Sequence, residues 1–388
     1  MKAIFDWHEM KESEMLYLSE NAINFMVDKG VNKTGSLSRL CQKINSNQLY
    51  RIIKKNGGIS VKILKKLLQY CDIEYNLINN EIIEIRKGNI PSIRKPKFPI
   101  DLLNPTIGYL LGHIVSDGCL YFDNSRENLI RTKYCGDDQE GITLFLSAIT
   151  DIFGEVHYNK EFIRNCHQIR IGNGVVGEVL RLAGAPVGKK YKLNEGLPLA
   201  VEKGDIEIKR QYLKAIFDDE GSIGIARHKF PYLILSRNIH LKITTEERYI
   251  LSKYILPLMK TRFFPTGHSA GIIPIRLLRK ILMQEHADGL LRKIELSKPK
   301  LLIDESVLLI NYFGITNQTY VIALHLTNNG YLSLQSCLVI RKKQDVLKYY
   351  KEIGFSFMKK QNKLKEAIVN HSLIKRDHQI IQHPEQER

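Results

Sequence analysis

The sequence predicts an α+β protein, with a small all-α unit followed by a larger mixed one. Apolar residues recur at helical spacing between Met1 and about Gly88, whereas later segments alternate apolar and polar residues at the period of a strand. A third observation divides the two units. Pro91, Pro96 and Pro99 fall within residues 89–100, which read as a linker because proline removes backbone donors and disfavours helix before it. At 388 residues, 44% of them apolar, the chain is long enough for two or three globular domains.

In the first unit, residues 1–88, Leu37, Leu40, Cys41 and Ile44 mark one short helix. Asn45-Ser46 breaks it. Leu49, Ile52 and Ile53 then supply the inner face of a second helix, which Gly57-Gly58 stops, and Val61, Leu64 and Leu68 mark a third. Two short helices joined by a tight turn and closed by a third make a helix-turn-helix pattern. The segment Gly35–Ile73 resembles phage-repressor-type helix-turn-helix domains in helix lengths and turn placement. On its second helix Asn47, Gln48, Tyr50, Arg51, Lys54 and Lys55 point outward. Asn47, Gln48, Arg51 and Lys54 are the candidate DNA contacts, being types that read base edges or grip phosphate. The plainer alternative is a three-helix packing module with a solvated basic face.

Two segments of the larger unit share one pattern, an apolar helical run with small residues four apart, then an acid and a glycine. They are Ile107–Gly118 (IGYLLGHIVSDG) and Tyr212–Gly221 (YLKAIFDDEG). Gly108, Gly112 and Ser116 share one helical face, and Ala215 and Asp219 correspond to Gly112 and Ser116. Small residues four apart let helix backbones approach closely, which would bring Asp117 and Glu220 together at two helix C-termini. Each following glycine is expected to end its helix in the left-handed conformation. Carboxylates at helix C-termini repel one another and the local dipole, and a divalent cation, Mg²⁺ or alternatively Mn²⁺, relieves both problems. Metal ions held beside phosphate can activate water and stabilise the leaving oxygen. A single copy would favour mere helix capping; two copies favour a site.

Both segments resemble the LAGLIDADG motif of homing endonucleases, as Leu110–Gly118 (LLGHIVSDG) and Leu213–Gly221 (LKAIFDDEG). The resemblance implies that Asp117 and Glu220 are metal-binding catalytic acids. Val115 stands where the motif has its first Asp, a structural position. Leu182–Lys192 with Leu197-Pro198 is similar to the family's linker between halves, and Tyr349–Leu364 to the close of its second half, so the resemblance covers about residues 100–370. It implies two pseudo-symmetric αββαββα halves, 101–204 and 205–370, in a monomer with internal pseudo-twofold symmetry. Their sheets would form a saddle over the DNA major groove, and a polar tail, 371–388, follows. It also implies a lysine near each scissile phosphate. Lys190, after Lys189, and Lys360, after Lys359, are the candidates, with phosphate grip or solubility as alternatives.

The local periodicity fits such sheets. Ile239, Leu241 and Ile243 alternate with Asn238, His240, Lys242 and Thr244, and Ile169 and Ile171 with Gln168 and Arg170. Thr327-Asn328-Asn329-Gly330 separates two further alternating runs, as a hairpin turn would. Arg170 and Lys242, on polar strand faces, are candidate DNA contacts.

Charge points the same way. Lys and Arg number 58 against 41 Asp and Glu, a net +17, and such a field attracts polyanions, double-stranded DNA above all. No apolar run approaches the roughly 20 residues that cross a bilayer, and the first residues lack a signal core, so no membrane partner and a cytoplasmic location are expected. The six cysteines form no C-x-x-C pair and are expected to be reduced and buried; the histidines show no zinc spacing. The function expected is a site-specific, homing-type DNA endonuclease. A cleavage-inactive DNA-binding transcriptional regulator and an RNA-splicing maturase are the alternatives. Retention of both acids favours the nuclease, since a pure binder gains by losing carboxylates that face phosphate. An intein is disfavoured because the sequence begins Met1 and ends Glu387-Arg388, so a free-standing enzyme is expected.

Overall fold

The computed structural model describes residues 2–55, 57–87, 90–123, 129–163, 165–190, 194–225, 230–261, 273–274, 279–280, 282–283, 288–327 and 331–381. Residues 54–55, 87, 90–91, 254–261, 273–274, 325–326 and 372–381 are described by backbone alone. The chain divides into two compact units, Met1–Gly188 with Pro198–Tyr212, and Lys189–Leu197 with Leu213–Arg388. Both mix helix and sheet, the α+β class expected.

The first unit opens with β1 (Ile4–Phe5), β2 (Met15–Leu18), α1 (Glu20–Thr34), α2 (Leu37–Ile44), α3 (Gln48–Lys55), β3 (Ile59–Ser60) and α4 (Val61–Tyr70). Serine side chains start three of the helices. Ser19, Ser36 and Ser60 accept the N–H groups of Ala22, Arg39 and Ile63, satisfying donors that a helix start leaves open. Helix α2 stops at Asn45, left-handed with φ 52°, a conformation that asparagine tolerates. The Ser46 hydroxyl then accepts the Gln48 N–H at 3.1 Å, so a short polar turn joins α2 to α3 as expected. Leu40, Cys41, Ile44, Leu49 and Ile52 are buried. Ile53, expected inside, is 43% exposed, because Leu49 and Ile52 already fill the inner stripe three residues apart.

This region is not all-α. β4 (Ile82–Lys87) and β5 (Ile90–Arg94) follow, and an antiparallel sheet runs β3-β2-β4-β5-β9, with β9 at Glu155–Val156. The expected proline linker therefore contains strand, at Ile90–Arg94 and again at Ile100. Ile93 pairs with Ile85 on one side and Val156 on the other. Pro91 sits beside the register shift between Ile85 and Arg86, where a strand tolerates proline. The stretch ends in β6 (Ile100–Asp101), which pairs with β1.

Next come α5 (Pro105–Val115), β7 (Gly118–Asp123), β8 (Leu129–Gly136), α6 (Gln139–Phe153), β9, β10 (Tyr158–Ile163), β11 (Cys166–Ile171) and α7 (Gly174–Leu182). Apart from the two-residue β9 this is αββαββα, and the antiparallel sheet runs β7-β8-β11-β10. On β8, Ile130, Thr132 and Tyr134 are buried, while Arg131, Lys133 and Cys135 between them are partly exposed. Helix α5 is buried from Ile107 to Val115 and packs on α6, on α7, on β8 and on α8 (Leu199–Lys203).

Helix α9 (Ile206–Asp219) leads into the second unit, with β12 (Gly221–Gly224), β13 (Tyr232–Lys242), α10 (Thr245–Thr261), β14 (Ile273–Pro274), α11 (Asp288–Leu296), α12 (Lys300–Phe313), β15 (Gln318–Leu326), β16 (Tyr331–Ile340), α13 (Lys343–Glu352) and α14 (Met358–Ile381). Its antiparallel sheet runs β12-β13-β16-β15-β14. Taken in chain order, the main strands of each unit adopt the same sequence of neighbours: first, second, fourth, third. The second unit differs by β14, α11 and α12, inserted before β15. Residues 328–330 of the expected hairpin turn lie outside the described residues, but Thr327 donates its N–H to the Tyr331 carbonyl at 2.9 Å across it. The tail expected from residue 371 is instead helix as far as Ile381.

Gly108 shows how tightly α5 is seated. A β carbon there would lie 2.6 Å from the Ile208 carbonyl oxygen on the first turn of α9. We predict that Gly108→Ala lowers stability in urea denaturation by about 1–3 kcal/mol, overpacking outweighing alanine's better helix propensity.

Candidate functional site

Each acid of the repeated motif stands where a helix turns directly into the first strand of a sheet. Asp117 follows α5 and precedes Gly118, the start of β7; Glu220 follows α9 and precedes Gly221, the start of β12. Neither glycine is left-handed, contrary to expectation. Both are required for a different reason. A β carbon on Gly118 would lie 2.8 Å from the His113 carbonyl oxygen and 2.9 Å from Ile114 Cα; on Gly221 it would lie 2.4 Å from the Phe217 oxygen and 2.8 Å from its Cα. Each strand doubles back against the last turn of its own helix, and only glycine permits that approach.

Asp117 belongs to the first unit and Glu220 to the second, and their surroundings differ. Asp117 is exposed. It borders the polar face of its sheet, where Cys119 pairs with Lys133 and Cys135 with Gln168. Gln168 donates to Cys135 Sγ at 3.6 Å and accepts from Arg170 Nε at 2.8 Å. The Arg170 guanidinium also pairs with Glu161 on β10 at 3.2 Å, so this candidate DNA contact is tied to an acid. Burial pushes the Cys166 thiol up, and Cys135, Asp137 and Asp117 push it further, so the Asp117 and Asp137 charges share one neighbourhood. Cys119, Cys135 and Cys166 are partly exposed rather than buried, because strand alternation puts them on the polar face.

Glu220, whose side chain is 25% exposed, accepts from Arg237 Nη1 at 2.7 Å. Arg237 lies on β13 at the parity of the buried Leu235 and Ile239, so its side chain turns inward. There Nη2 and Nε reach both carboxylate oxygens of Glu305 on α12, at 2.6 Å and 3.3 Å. Arg237 is 6% and Glu305 0% exposed. Burial pushes the Glu220 carboxyl above its usual range, while the charges of Arg237 and Lys190 pull it back.

The junction around Glu220 is clasped by α14 and the residues before it. The buried Asp218 accepts the N–H groups of Ser356 and Phe357 at 2.9 Å and 3.1 Å, an anion set at a helix start. In return Lys360 reaches the carbonyl oxygens of Phe217 and Gly221 at 3.1 Å and 2.7 Å, and that of Asp218, closing the end of α9. Lys360 thus holds backbone oxygens.

Strand register permits a comparison of the two units. Gly118 pairs with Tyr134 and Gly221 with Leu235, so the residues two further along, Gly136 and Arg237, are equivalent. One unit has a guanidinium where the other has no side chain.

Of the other sequence candidates, Gly108, Gly112, Ser116 and Ala215 are buried and Asp219 is partly exposed. Asn47 and Arg51 are exposed, whereas Gln48 accepts the Ser60 N–H at 3.1 Å and so helps hold α3 to β3. The side chain of Lys54 lies outside the described residues; Lys242 is exposed at the end of β13, opposite Tyr331. Sequence reasoning missed Asp218, Arg237 and Glu305. The signal for Arg237 was its place in an otherwise apolar parity, and for Glu305 its position between Leu302 and Leu308. Among the described residues, no three His, Cys, Asp or Glu side chains are grouped to hold a metal, and no helix is long and apolar enough to cross a membrane.

No protein-family model matches the chain, and no curated protein does. Solved structures that it is similar to include full-length DUF199/WhiA from Thermatoga maritima, 13% identical over 72% of this chain and 70% of that one, with a TM-score of 0.33. The homing endonuclease I-WcaI bound to its DNA recognition sequence is 11% identical over 68% and 87%, also with a TM-score of 0.33. The LAGLIDADG meganuclease I-AabMI bound to uncleaved DNA is 13% identical over 71% and 92%, with a TM-score of 0.31. Such likenesses transfer neither a whole-chain fold nor an activity, and the fold described above rests on strand order and register.

We predict that Arg237→Met destabilises the chain by about 3–5 kcal/mol, because it strands a buried carboxylate. Pairing it with Glu305→Leu is expected to restore most of that loss, as measured by chemical denaturation.

Proposed function

We propose that this protein is a site-specific double-stranded DNA endonuclease of the homing type, dependent on a divalent cation. One observation carries the reading: the helix–acid–glycine–strand junction occurs twice, each time at the head of an antiparallel sheet with the same strand order. The net charge of +17 supports a polyanionic partner. On the first sheet Arg131 and Lys133 alternate with buried residues; Arg131 is paired with Asp123 at 2.5 Å, so Lys133 is the cation this face offers to phosphate. In the N-terminal region the exposed Asn47 and Arg51 extend the contact by a helix-turn-helix.

Asp117 fits the cation. It is exposed at a helix C-terminus, where the helix dipole gives partial negative charge, and Asp137 adds to that field. Hard carboxylate oxygens there suit Mg²⁺ or Mn²⁺. Such an ion, when bound, lowers the pKa of water and stabilises charge on phosphate oxygens. Glu220 fits it poorly, because Arg237 already neutralises its carboxylate. That ion pair favours a second reading, a DNA-binding regulator that does not cleave.

The deciding experiment incubates a plasmid carrying the host's flanking DNA with the protein in Mg²⁺ and in chelator. Chelator-sensitive strand breaks are expected; binding without breaks would select the regulator. We predict that Asp117→Asn lowers cleavage by about 100-fold or more while DNA affinity in Ca²⁺ stays within about threefold. Loss of binding instead would make Asp117 structural. For Arg51→Ala, the slope of log affinity against log salt should fall by about 1, and an unchanged slope would remove α3 from the interface.

A further inference from the structure

Arginines on the polar faces of the two sheets are held in different ways. On the first sheet Arg131 and Arg170 each meet a carboxylate, that of Asp123 and of Glu161. On the second, the exposed Arg341 just beyond β16 meets no carboxylate among the described residues and lies instead between two tyrosines. Its guanidinium carbon is 5.8 Å from the ring centre of Tyr232 on β13 and 5.9 Å from that of Tyr320 on β15. Its Nη2 donates to the Tyr320 hydroxyl at 2.9 Å. Tyr232 is seated in turn by Gly224 on β12, where a β carbon would lie 2.2 Å from the tyrosine ring. Tyr232 shares its strand face with Ser236, which pairs with Cys337, and Cys337 pairs on its other side with Tyr320. The cluster therefore stands on the polar face of the sheet, beside Asn238 and its partner Gln335.

These contacts fix the plane of the guanidinium without cancelling its charge. A guanidinium has five N–H donors, and Tyr320 takes one of the two on Nη2. Whichever of the two it takes, one edge with a pair of parallel donors remains. Such an edge, held in a set plane, matches the O6 and N7 acceptors that guanine presents in the major groove. Phosphate accepts from many directions and needs no set plane. The exposed Lys342 and Lys343, next along the chain, suit that task better.

We propose that Arg341 reads a guanine in the major groove, with Tyr232 and Tyr320 as its positioning residues. The inference rests on the reading given above of a protein specific for a duplex DNA site, and it adds a required G·C pair to that site.

The test enriches a pool of random-sequence duplexes on the full chain in Ca²⁺ and compares the base preferences of wild type, Arg341→Lys and Tyr320→Phe. Lysine keeps the charge at this exposed position but loses the paired donors. Arg341→Lys is expected to lower discrimination at one G·C pair by about tenfold or more, with preferences elsewhere and the salt dependence of binding unchanged. Tyr320→Phe, which keeps the ring and removes the hydroxyl, should weaken the same preference by about threefold and no other. Equal loss of affinity for every sequence would make Arg341 a phosphate grip, and identical preferences in wild type and Arg341→Lys would take it out of the interface. Either result overturns this assignment alone. A wild type that enriches no sequence would overturn the site-specific reading, and the guanine assignment with it.

Discussion

No β carbon fits where either acid-bearing helix meets its first strand. The peptide after Asp117, and again after Glu220, lies so close to the preceding helical turn that Gly118 and Gly221 are the one residue type the geometry accepts. Much follows from that contact. It starts a strand at once, without a loop, so the acid is held at the rim of a sheet instead of on a mobile connection. It also sets where the first strand begins, and through register where the second must pair: Tyr134 beside Gly118, Leu235 beside Gly221. The polar faces of both sheets inherit their position from one close approach.

Matching register positions of the two units carry different residues, Gly136 in one and Arg237 in the other. In the second unit Asp218 and Lys360 exchange charges with two helix ends, and Arg237 bridges two carboxylates. Buried ion pairs seldom add much net stability, but once present they resist being opened from one side. The first unit has Gly136 at the corresponding place and a sheet face carrying thiols. The two units thus share the order of their main strands and an acid–glycine junction, but not the residue at this register position.

Features set by short-range periodicity were legible in the sequence. The turn at Asn45-Ser46, the strands around Ile169 and Ile239, and both acid-glycine junctions could all be placed because neighbouring residues alone specify them. Features set by distant partners were not. β5 contains a proline and gains its strand character from Ile85 and Val156, so local composition made it a linker. Arg237 was read past because alternation assigns charged residues outward, and its inward turn depends on Glu305, 68 residues later. Lys360 resembles a phosphate-facing lysine by position, but the carbonyl oxygens it meets belong to a helix end that only the folded chain brings near. The glycines were correctly singled out for the wrong reason, since left-handed caps and close approach leave the same mark in a sequence.

The pairing of β5 with β9 also bears on how the chain is made. Its N-terminal sheet takes its last strand from Glu155–Val156, more than sixty residues beyond β5. A ribosome releases the chain from its N-terminus, so α1 to α4 can form early while one edge of that sheet stays open. Until β9 has emerged, the unpaired edge of β5 presents bare backbone donors and acceptors to any other nascent strand. The interval of synthesis between Arg94 and Val156 is thus a period in which this edge is open to mispairing.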